Sequence, residues 1–406
     1  MGAGGMSGAL ILHRDHGQHL AAALRALDAG EPVFLGNPRW MAADLEEALR
    51  QVPASCRVEG AEARPRGMGP CDWPGGWRGR MMIPTGGTGG KVRFAIHDKA
   101  SLRGSALAFA EAMRARGLSP VIHGVSLTPP WHVSGLMPAI RARETGGVFE
   151  VLDGRFAPES PLPRVALPSG GTKVASVVPA QLDRLLARAE GEAWLRQFDV
   201  VLLGGSAVPA PLLAAIGERR LPVALTYGMT ETAAAVALAW PEDFARDAAP
   251  RGRPLPGVRF STREGRILVD APGLCRGHWP ASPMAEPFDT ADLGEVTPEG
   301  RVRVTGRVDR MIATGGEKVD PARVEAALVA SGLARAAHVL GLPDATWGRL
   351  VVAVVVAAPE AEATLRSAME AALEPAARPR RYLFVEALPF DARGKVDPGS
   401  LDRLLA

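Results

Sequence analysis

The chain has 406 residues, of which 47% are apolar and 22% charged, a composition typical of a folded protein with two or three domains. Lysine and arginine number 47 against 44 aspartate and glutamate residues, and they are spread along the chain. This argues against a nucleic-acid partner, which requires clustered positive charge. The absence of any uninterrupted run of 18 apolar residues likewise argues against a membrane span.

The N-terminal 80 residues predict a helix over His16–Leu27. His13, His16 and His19 have a spacing that could gather metal ligands on one helical face. No carboxylate or cysteine cluster accompanies them, so we favour a solvent-facing amphipathic helix. The three cysteines are too few and too far apart for a disulfide framework, and we therefore expect a reducing, cytoplasmic compartment.

Between residues 81 and 305, strand-like runs alternate with helical ones. Asp98 is expected to cap a helix that ends at Gly117, and Gln181–Ala189 places its leucines on one helical face. Asp199–Leu203 predicts a buried strand that runs directly into a glycine turn. This alternation predicts an α/β architecture with parallel strand pairing.

The last hundred residues show a different pattern. Arg301–Val304 and Leu350–Ala357 predict strands, and Asp320 followed by Pro321 predicts the start of a helix. These elements indicate a small α+β unit. We therefore predict a large domain over residues 1–306, in which the first 80 residues or so form a separate segment, and a small domain over residues 307–406.

A glycine-rich segment lies at Pro84–Lys91. Glycines permit unusual backbone angles that turn amide groups inward around a polyphosphate, and hydroxyl and ammonium groups add further donors. A flexible turn is the alternative, and the segment differs from the common phosphate-binding loop because no Ser or Thr follows its lysine. The candidate phosphate-binding residues are Thr85, Gly86, Gly87, Thr88, Gly89, Gly90 and Lys91.

A second segment, Tyr227–Glu231, follows an apolar run and is expected at the carboxyl end of a strand, where α/β sheets bind ligands. It combines a ring that can stack on a base, a hydroxyl suited to a phosphate and a carboxylate suited to Mg²⁺. The alternative is an ordinary helix start with capping residues. The candidates here are Tyr227, Gly228, Thr230 and Glu231.

Further candidates lie toward the C-terminus. The carboxylate of Asp292 could accept both hydroxyls of a ribose, and Arg307 could contact ribose or phosphate. Gly315 and Gly316 follow, and Lys395 lies close to the end of the chain. The alternative is an exposed hairpin and a solvated lysine.

Taken together and in this order, these segments resemble the adenylate-forming superfamily, which includes acyl-CoA synthetases, peptide-synthetase adenylation domains and luciferases. The resemblance extends from about residue 80 to the end of the chain. It implies a large ATP- and acyl-binding domain and a small, mobile C-terminal domain that rotates. The N-terminal portion is short for the superfamily, so the resemblance implies a reduced first subdomain over about residues 1–80. The cofactors implied are ATP and Mg²⁺, with CoA as cosubstrate and a small carboxylic acid as substrate.

The resemblance also implies a role for each matching position. The Thr85–Lys91 loop would hold the β- and γ-phosphates of ATP, Thr230 the α-phosphate and Glu231 the Mg²⁺ ion. Tyr227 would flank the adenine, while Asp292 and Arg307 would contact the ribose. The remaining assignments are Gly204, Gly205 and Ser206 lining the adenine and acyl pocket, Asp309 as the hinge, and Lys395 as the lysine that catalyses adenylation.

Two segments depart from the superfamily pattern. Gly86 and Gly89 replace hydroxyl residues in the loop, whose spacing to lysine is also shorter, and Ala291 replaces the usual glycine before Asp292. The shortened loop and the stretch Pro130–Leu136 resemble the short 2-succinylbenzoate–CoA ligases of menaquinone and phylloquinone synthesis. His132 would then border the acyl tunnel, with a capping or core histidine as the alternative.

Three functions follow from the resemblance. The first is an AMP-forming 2-succinylbenzoate–CoA ligase, and the second is a ligase of the same class for aryl or medium-chain acids. The third is a binding homologue with a disabled site, for which the altered loop is the one supporting feature. The sequence leaves the oligomeric state open, a homodimer included.

Overall fold

A computed structural model of the chain describes residues 8–40, 42–67, 76–86, 92–152, 154–157, 160–206, 208–244, 250–280, 284–390 and 396–405. Its strands, in chain order, are β1 (Ala9–Ile11), β2 (Val33–Leu35), β3 (Arg57–Glu59), β4 (Arg80–Gly86), β5 (Val92–Asp98), β6 (Ile122–Ser126), β7 (Phe149–Val151), β8 (Thr172–Val177), β9 (Val200–Leu203), β10 (Val223–Met229), β11 (Ala234–Ala239), β12 (Arg253–Pro254), β13 (Arg259–Arg263), β14 (Arg266–Asp270), β15 (His278–Trp279), β16 (Phe288–Val296), β17 (Val302–Arg307), β18 (Ile312–Thr314), β19 (Glu317–Val319), β20 (Ala336–Asp344), β21 (Gly348–Val356) and β22 (Arg381–Phe384).

The helices lie between these strands, mostly as single crossover elements. In chain order they are α1 (His16–Asp28), α2 (Ala42–Gln51), α3 (Lys99–Arg114), α4 (Val133–Thr145), α5 (Pro179–Leu186), α6 (Gly191–Leu195), α7 (Ala210–Glu218), α8 (Pro241–Phe244), α9 (Pro321–Ala330), α10 (Glu362–Ala372) and α11 (Pro398–Leu405). Within the described ranges, no helix has the length and apolar character needed to cross a bilayer.

The first sheet has six strands in the order β15-β5-β4-β2-β1-β3. Its short strands β1 and β2 are fully buried, which explains their uninterrupted apolar sequences. Strands β4 and β5 form an antiparallel hairpin around the glycine-rich segment, with Gly86 opposite Val92. Thr85 is the penultimate residue of β4, directly before Gly86.

The second sheet has seven strands in the order β12-β11-β10-β9-β8-β6-β7, of which β6 to β10 are parallel. Helices α3 and α4 pack together, and α4 also packs on β6. Helix α3 begins as expected, because the carboxylate of Asp98 accepts a hydrogen bond from the amide of Ser101 in a capping box. The same carboxylate accepts hydrogen bonds from Arg80 (2.7 Å) and Arg276 (2.9 Å), which joins α3 to β4 and to the loop before β15.

A third, antiparallel sheet has the order β13-β14-β16-β17. In its β16–β17 pair, Asp292 lies directly opposite Arg307. The two candidate ribose-binding residues, 15 positions apart in sequence, are thus neighbours across one ladder.

The C-terminal elements surround a core of their own, which contains Val324, Leu328, Val351, Leu365 and Met369. The β18–β19 hairpin and the sheet β20-β21-β22 surround this core together with α9 and α10. Asp320 caps α9 through the amide of Ala322, and Pro321 occupies its first turn, as the sequence predicts. The predicted boundary between residues 306 and 307 falls before the last residue of β17, which ends at Arg307. The boundary stays a proposal.

Arg310 connects the segment after β17 to this C-terminal core. Its guanidinium donates a 2.6 Å hydrogen bond to Glu325 and a second, 3.2 Å bond to the carbonyl oxygen of Val339. Glu325 in turn accepts a hydrogen bond from the amide of Val339. The short 3-10 turn Val308–Arg310 is therefore fixed at its far end to the C-terminal elements.

The expectation of a solvent-facing histidine helix at the N-terminus is wrong at His19. His13 precedes α1, and His19 is fully buried with its ring in edge-on contact with Trp131. Burial lowers the pKa of His19 to about 4, which keeps the ring neutral. His19 lies one helical turn from Ala22 and Ala23, and thus on the apolar side of the helix.

Candidate active site

Two candidate segments meet at one edge of the seven-stranded sheet. Strands β9 and β10 are parallel neighbours, so the turn at Gly204–Ser206, which follows β9, lies beside Tyr227–Glu231, which spans the carboxyl end of β10. A Cβ at Gly204 would collide with the hydroxyl oxygen of Thr226. Glycine at this position therefore lets the two strand ends approach closely, at the edge where such sheets bind ligands.

Glu231 lies in a 3-10 turn directly after β10, and its carboxylate is the centre of a polar cluster. Its Oε1 atom is 3.0 Å from Nε2 of His278 and accepts a 3.3 Å hydrogen bond from the hydroxyl of Thr85. Burial raises the pKa of Glu231, but the hydrogen bond and charge of His278, with smaller contributions that include Thr85, outweigh it and lower the pKa overall. Glu231 is therefore a buried, ionised carboxylate.

The backbone around Glu231 is held from two sides. Nε2 of His97 donates a 2.8 Å hydrogen bond to the carbonyl oxygen of Thr230, and the amide of Cys275 donates to the carbonyl oxygen of Glu231. Because a carbonyl oxygen can only accept, the proton of the His97 ring lies on Nε2. Burial lowers the pKa of His97 to about 4, so the ring is neutral and the turn is held without added charge.

Tyr227, Asp292 and Arg307 form a second cluster. The hydroxyl of Tyr227 donates a 2.7 Å hydrogen bond to Oδ2 of Asp292, and Arg307 donates a 2.6 Å bond to Oδ1. Arg307 also donates to both carboxylate oxygens of Asp309, at 2.9 and 2.8 Å. Burial raises the pKa of Asp292, and the charge of Arg307 and the hydroxyl of Tyr227 offset part of that rise.

The remaining candidates lie in other positions. His132 occupies the N-cap position of α4, in the loop after β6 at the same edge of the seven-stranded sheet. Its side chain makes no capping hydrogen bond, and its ring lies near Trp131. Gly315 and Gly316 form the two-residue turn of the β18–β19 hairpin, both with positive φ, and belong to the C-terminal elements. Gly86 is the last residue of β4.

Several predicted residues lie outside the described residues. These are Gly87, Thr88, Gly89, Gly90, Lys91 and Lys395. Their assigned contacts with phosphate and substrate stay predictions.

The donor chemistry around Glu231 fits a magnesium ion. Mg²⁺ prefers oxygen ligands and in nucleotide enzymes is held by one or two carboxylates together with substrate phosphates. The carboxylate of Glu231 and the hydroxyl of Thr85 meet that requirement. In the part of the chain that the structure describes, no group of three or more His, Cys, Asp and Glu side chains could hold a metal ion by itself.

Sequence reasoning missed His97 and His278. Neither lies in a spaced motif: His97 is a single buried residue near the end of β5, and His278 is a single histidine between Gly277 and Trp279. A signal for His97 was its place on an apolar strand that leads directly into the Asp98 cap. His278 carried no such signal, because its contact with Glu231 spans 47 residues.

Comparison with known proteins identifies the class. Residues 73–273 match the AMP-binding enzyme family, and residues 323–395 match the AMP-binding enzyme C-terminal domain. The chain belongs to the AMP-binding enzyme family. Its relatives include a probable 2-succinylbenzoate–CoA ligase of Mycobacterium tuberculosis, 34% identical over 341 residues that cover 80% of this chain and 84% of the relative. An indoleacetate–CoA ligase of Aromatoleum aromaticum is 29% identical over an alignment that covers 80% of this chain and 67% of that ligase.

Solved structures show the same fold. The o-succinylbenzoate CoA synthetase (MenE) of Bacillus subtilis, in complex with its acyl-adenylate intermediate, superposes with a TM-score of 0.74 at 22% identity, covering 97% of this chain and 88% of that one. The same protein in complex with ATP and a magnesium ion gives a TM-score of 0.70 at 21% identity, with 98% and 89% coverage. The predicted α/β fold of the adenylate-forming class is confirmed.

Proposed function

We propose that this chain is an AMP-forming acid–thiol ligase that activates 2-succinylbenzoate and transfers the acyl group to CoA, as a cytoplasmic step of menaquinone or phylloquinone biosynthesis. The observation that carries this proposal is the 34% identity to a probable 2-succinylbenzoate–CoA ligase over 84% of that relative's length. In the first half-reaction the carboxylate attacks the α-phosphate of ATP and releases pyrophosphate. In the second, the thiol of CoA displaces AMP and forms the thioester.

The second cluster would bind the nucleoside. Each oxygen of a carboxylate has two lone pairs, so Asp292 can accept one more hydrogen bond at Oδ1 and one at Oδ2 while it keeps those from Arg307 and Tyr227. Two ribose hydroxyls are matching donors. The ring of Tyr227 would flank the adenine, and Gly204, Gly205 and Ser206 would line the adenine and acyl pocket.

The first cluster would bind the phosphates. The glycine-rich hairpin loop, with Thr85, Thr88 and Lys91, would hold the β- and γ-phosphates, and Thr230 the α-phosphate. Glu231 would hold Mg²⁺, which offsets phosphate charge when bound. Glu231 is ionised and buried, and burial of a charged group costs free energy. A cation bound beside Glu231 would offset part of that cost. Lys395 would neutralise charge as the carboxylate attacks.

The acyl group would enter beside His132. This residue directly precedes α4, at the same sheet edge as Gly204 and Tyr227. An acid bound beside His132 would therefore lie at the edge where the nucleotide would bind. Asp309 would be the hinge about which the C-terminal elements rotate between the two half-reactions.

A second candidate acid is an aryl acetate. The indoleacetate–CoA ligase relative, at 29% identity over 80% of this chain, supports an aryl-acid ligase of the same class. A disabled binding homologue is the third possibility, and the presence of Glu231, Asp292, Arg307 and Lys395 argues against it.

A substrate panel separates these functions. Purified protein is given ATP, Mg²⁺ and one acid at a time (2-succinylbenzoate, indoleacetate, benzoate or octanoate), and pyrophosphate release is measured with and without CoA. We expect kcat/KM for 2-succinylbenzoate to exceed the others by about tenfold or more, with the CoA thioester detected by mass. Preference for another acid would assign the second function, and no release with any acid would assign the third. Acyl-AMP that accumulates in the presence of CoA would show that CoA is not the acceptor.

A further inference from the structure

His278 is held rigidly by its own strand. Its backbone pairs with Ala95 in the six-stranded sheet, and the next residue, Trp279, is buried and donates its indole N–H to the carbonyl oxygen of Gln51 at 2.8 Å. Side chains alternate between the faces of a strand. The burial of Trp279 on one face therefore directs the imidazole of His278 to the other face, where Glu231 lies.

The same loop holds Glu231 at two points. The amide of Cys275 donates to the backbone carbonyl of Glu231 at 2.8 Å, and His278 contacts the carboxylate three residues later. The position of the imidazole relative to the carboxylate is thus set by backbone contacts as well as by the side-chain contact itself. Such support is what a preorganised ligand set requires.

The distances around Glu231 match those between neighbouring metal ligands. Nε2 of His278 is 3.0 Å, and the hydroxyl oxygen of Thr85 3.3 Å, from the same Oε1 atom. Nitrogen and oxygen ligands bind small divalent cations at about 2.0–2.2 Å. Two such ligands on adjacent corners of an octahedron are then about 3 Å apart, so each of the two atoms lies at the distance from Oε1 that a shared cation requires.

We propose that His278 is a nitrogen ligand of the divalent cation that Glu231 holds, and that it makes this site favour Mn²⁺ and Co²⁺ over Mg²⁺. The proposal rests on the proposed function, which makes Glu231 a metal ligand. Imidazole suits transition metals better than it suits Mg²⁺, whose preferred ligands are oxygens. Nε2 binds a cation through its lone pair, so any proton on this atom leaves to water when the cation binds. The side chain of His278 is 23% exposed, which gives water access.

A second histidine–glutamate pair provides a matched control. Nε2 of His13 is 4.0 Å from Glu59, and the side chain of His13 is also 23% exposed. This pair lies at the end of β3, away from the edge where Glu231 lies. Replacement of His13 tests the loss of a half-buried histidine without a change at the proposed cation site.

Pulsed electron paramagnetic resonance of bound Mn²⁺ tests the proposal directly. Full-length protein containing ¹⁵N-histidine is mixed with Mn²⁺ and α,β-methylene-ATP, in which a methylene group replaces the oxygen between the α- and β-phosphates. Adenylation breaks the bond from the α-phosphorus to this oxygen, so the analogue stays intact. We expect a hyperfine coupling from one directly bound ¹⁵N in the wild type and in His13→Gln, and its loss in His278→Gln. We also expect His278→Gln to weaken Mn²⁺ binding about tenfold or more, and Mg²⁺ binding less.

A wild-type spectrum without nitrogen coupling would overturn the proposal, and this result requires no variant to fold. Coupling that persists in His278→Gln would overturn it as well, as would equal weakening of Mn²⁺ and Mg²⁺ binding. No acid is present in the experiment, so its outcome is independent of the substrate panel. If 2-succinylbenzoate fails in that panel, the proposed substrate is wrong while the nitrogen coupling still reports on His278.

Discussion

The hydroxyl of Tyr227 donates a 2.7 Å hydrogen bond to the carboxylate of Asp292 and thereby joins the seven-stranded sheet to the four-stranded sheet. Tyr227 lies on β10 and Asp292 on β16, 65 residues apart. Because Arg307 holds the other oxygen, the carboxylate is fixed from two sides. If Asp292 binds the ribose as proposed, this fixed carboxylate loses little conformational freedom when nucleotide binds.

Tyr227→Phe removes this donor and keeps the ring. We expect KM for ATP to rise several-fold with a smaller change in kcat, and stability to fall by about 1 kcal/mol, the usual contribution of one hydrogen bond. The rise in KM that follows replacement of ATP by 2′-deoxy-ATP should also be smaller in this variant, because Asp292 is less well placed to bind the ribose hydroxyl. Tyr382, the other of the two tyrosines, provides the control: Tyr382→Phe should leave KM for ATP unchanged. An unchanged KM in Tyr227→Phe would contradict a role for this contact.

Glu231→Gln keeps the volume of the side chain and removes its charge. If the carboxylate holds Mg²⁺, turnover should fall by one or more orders of magnitude, the scale of lost transition-state electrostatics. The Mg²⁺ concentration for half-maximal activity should rise as well. Glu242→Gln, which breaks an ion pair with Arg116 on the surface, is the control. Wild-type activity of Glu231→Gln at limiting Mg²⁺ would show that the assignment is wrong.

Lys395→Ala should abolish the formation of acyl-AMP from acid and ATP but leave the conversion of supplied acyl-AMP and CoA to thioester largely intact. In the proposed mechanism, the charge of Lys395 acts only while the carboxylate attacks the α-phosphate. Two separate half-reaction assays on one purified variant provide the measurement. Lys318→Ala, at an exposed position on β19, should affect neither. Robust acyl-AMP synthesis by Lys395→Ala would refute the assignment.

Asp309→Pro fixes φ at the proposed hinge. One half-reaction should be impaired much more than the other, because rotation of the C-terminal elements is restricted. Asp309→Ala separates this effect from the loss of the ion pair with Arg307, since alanine removes the charge and leaves the backbone free. Equal loss of both half-reactions in the proline variant, with unchanged thermal stability, would argue against a hinge at this position.

The contacts of Asp98 with Arg80, Arg276 and Ser101 should make the free energy of unfolding fall in acid. Burial raises the pKa of Asp98, but hydrogen bonds from Arg276 and Ser101 and the charges of Arg276 and Arg80 outweigh it and hold the pKa at about 2. A carboxyl whose folded pKa is depressed stabilises the fold above its unfolded pKa, and that contribution is lost as pH falls through the folded pKa.

The Tm deficit of Asp98→Asn relative to wild type should therefore shrink as pH falls from about 5 to about 2.5. Asp270→Asn, which breaks an exposed pair with Arg259, should show little deficit at either pH. A deficit of Asp98→Asn that does not depend on pH would contradict an ionised Asp98.

Local sequence signals predicted much of the fold. The caps at Asp98 and Asp320, the strand at β9 and the apolar strand β21 follow from side-chain hydrogen bonding and periodicity within a few residues. His19 shows the limit of this reasoning, because Trp131, which covers it, lies more than a hundred residues away.

The candidate site was predicted as a set of residues and not as a set of contacts. The sequence named Tyr227, Asp292 and Arg307 separately, but their mutual hydrogen bonds depend on how two sheets pack. The contact of His278 with Glu231 likewise depends on the position of β15 at the edge of another sheet. Tertiary packing of this kind leaves no periodic pattern in the sequence.

The short segment between Arg307 and Arg310 limits how far the C-terminal elements can travel. Arg307 is bound to Asp292 on one side and Arg310 to Glu325 on the other. Three Cα–Cα steps of about 3.8 Å each keep these two anchors within about 11 Å in any backbone conformation. If the C-terminal elements rotate as proposed, they turn about this tether but cannot diffuse away, so their loops stay at a high effective concentration near the proposed nucleotide site. Each change of orientation is an intramolecular event, and its rate does not depend on dilution of the protein.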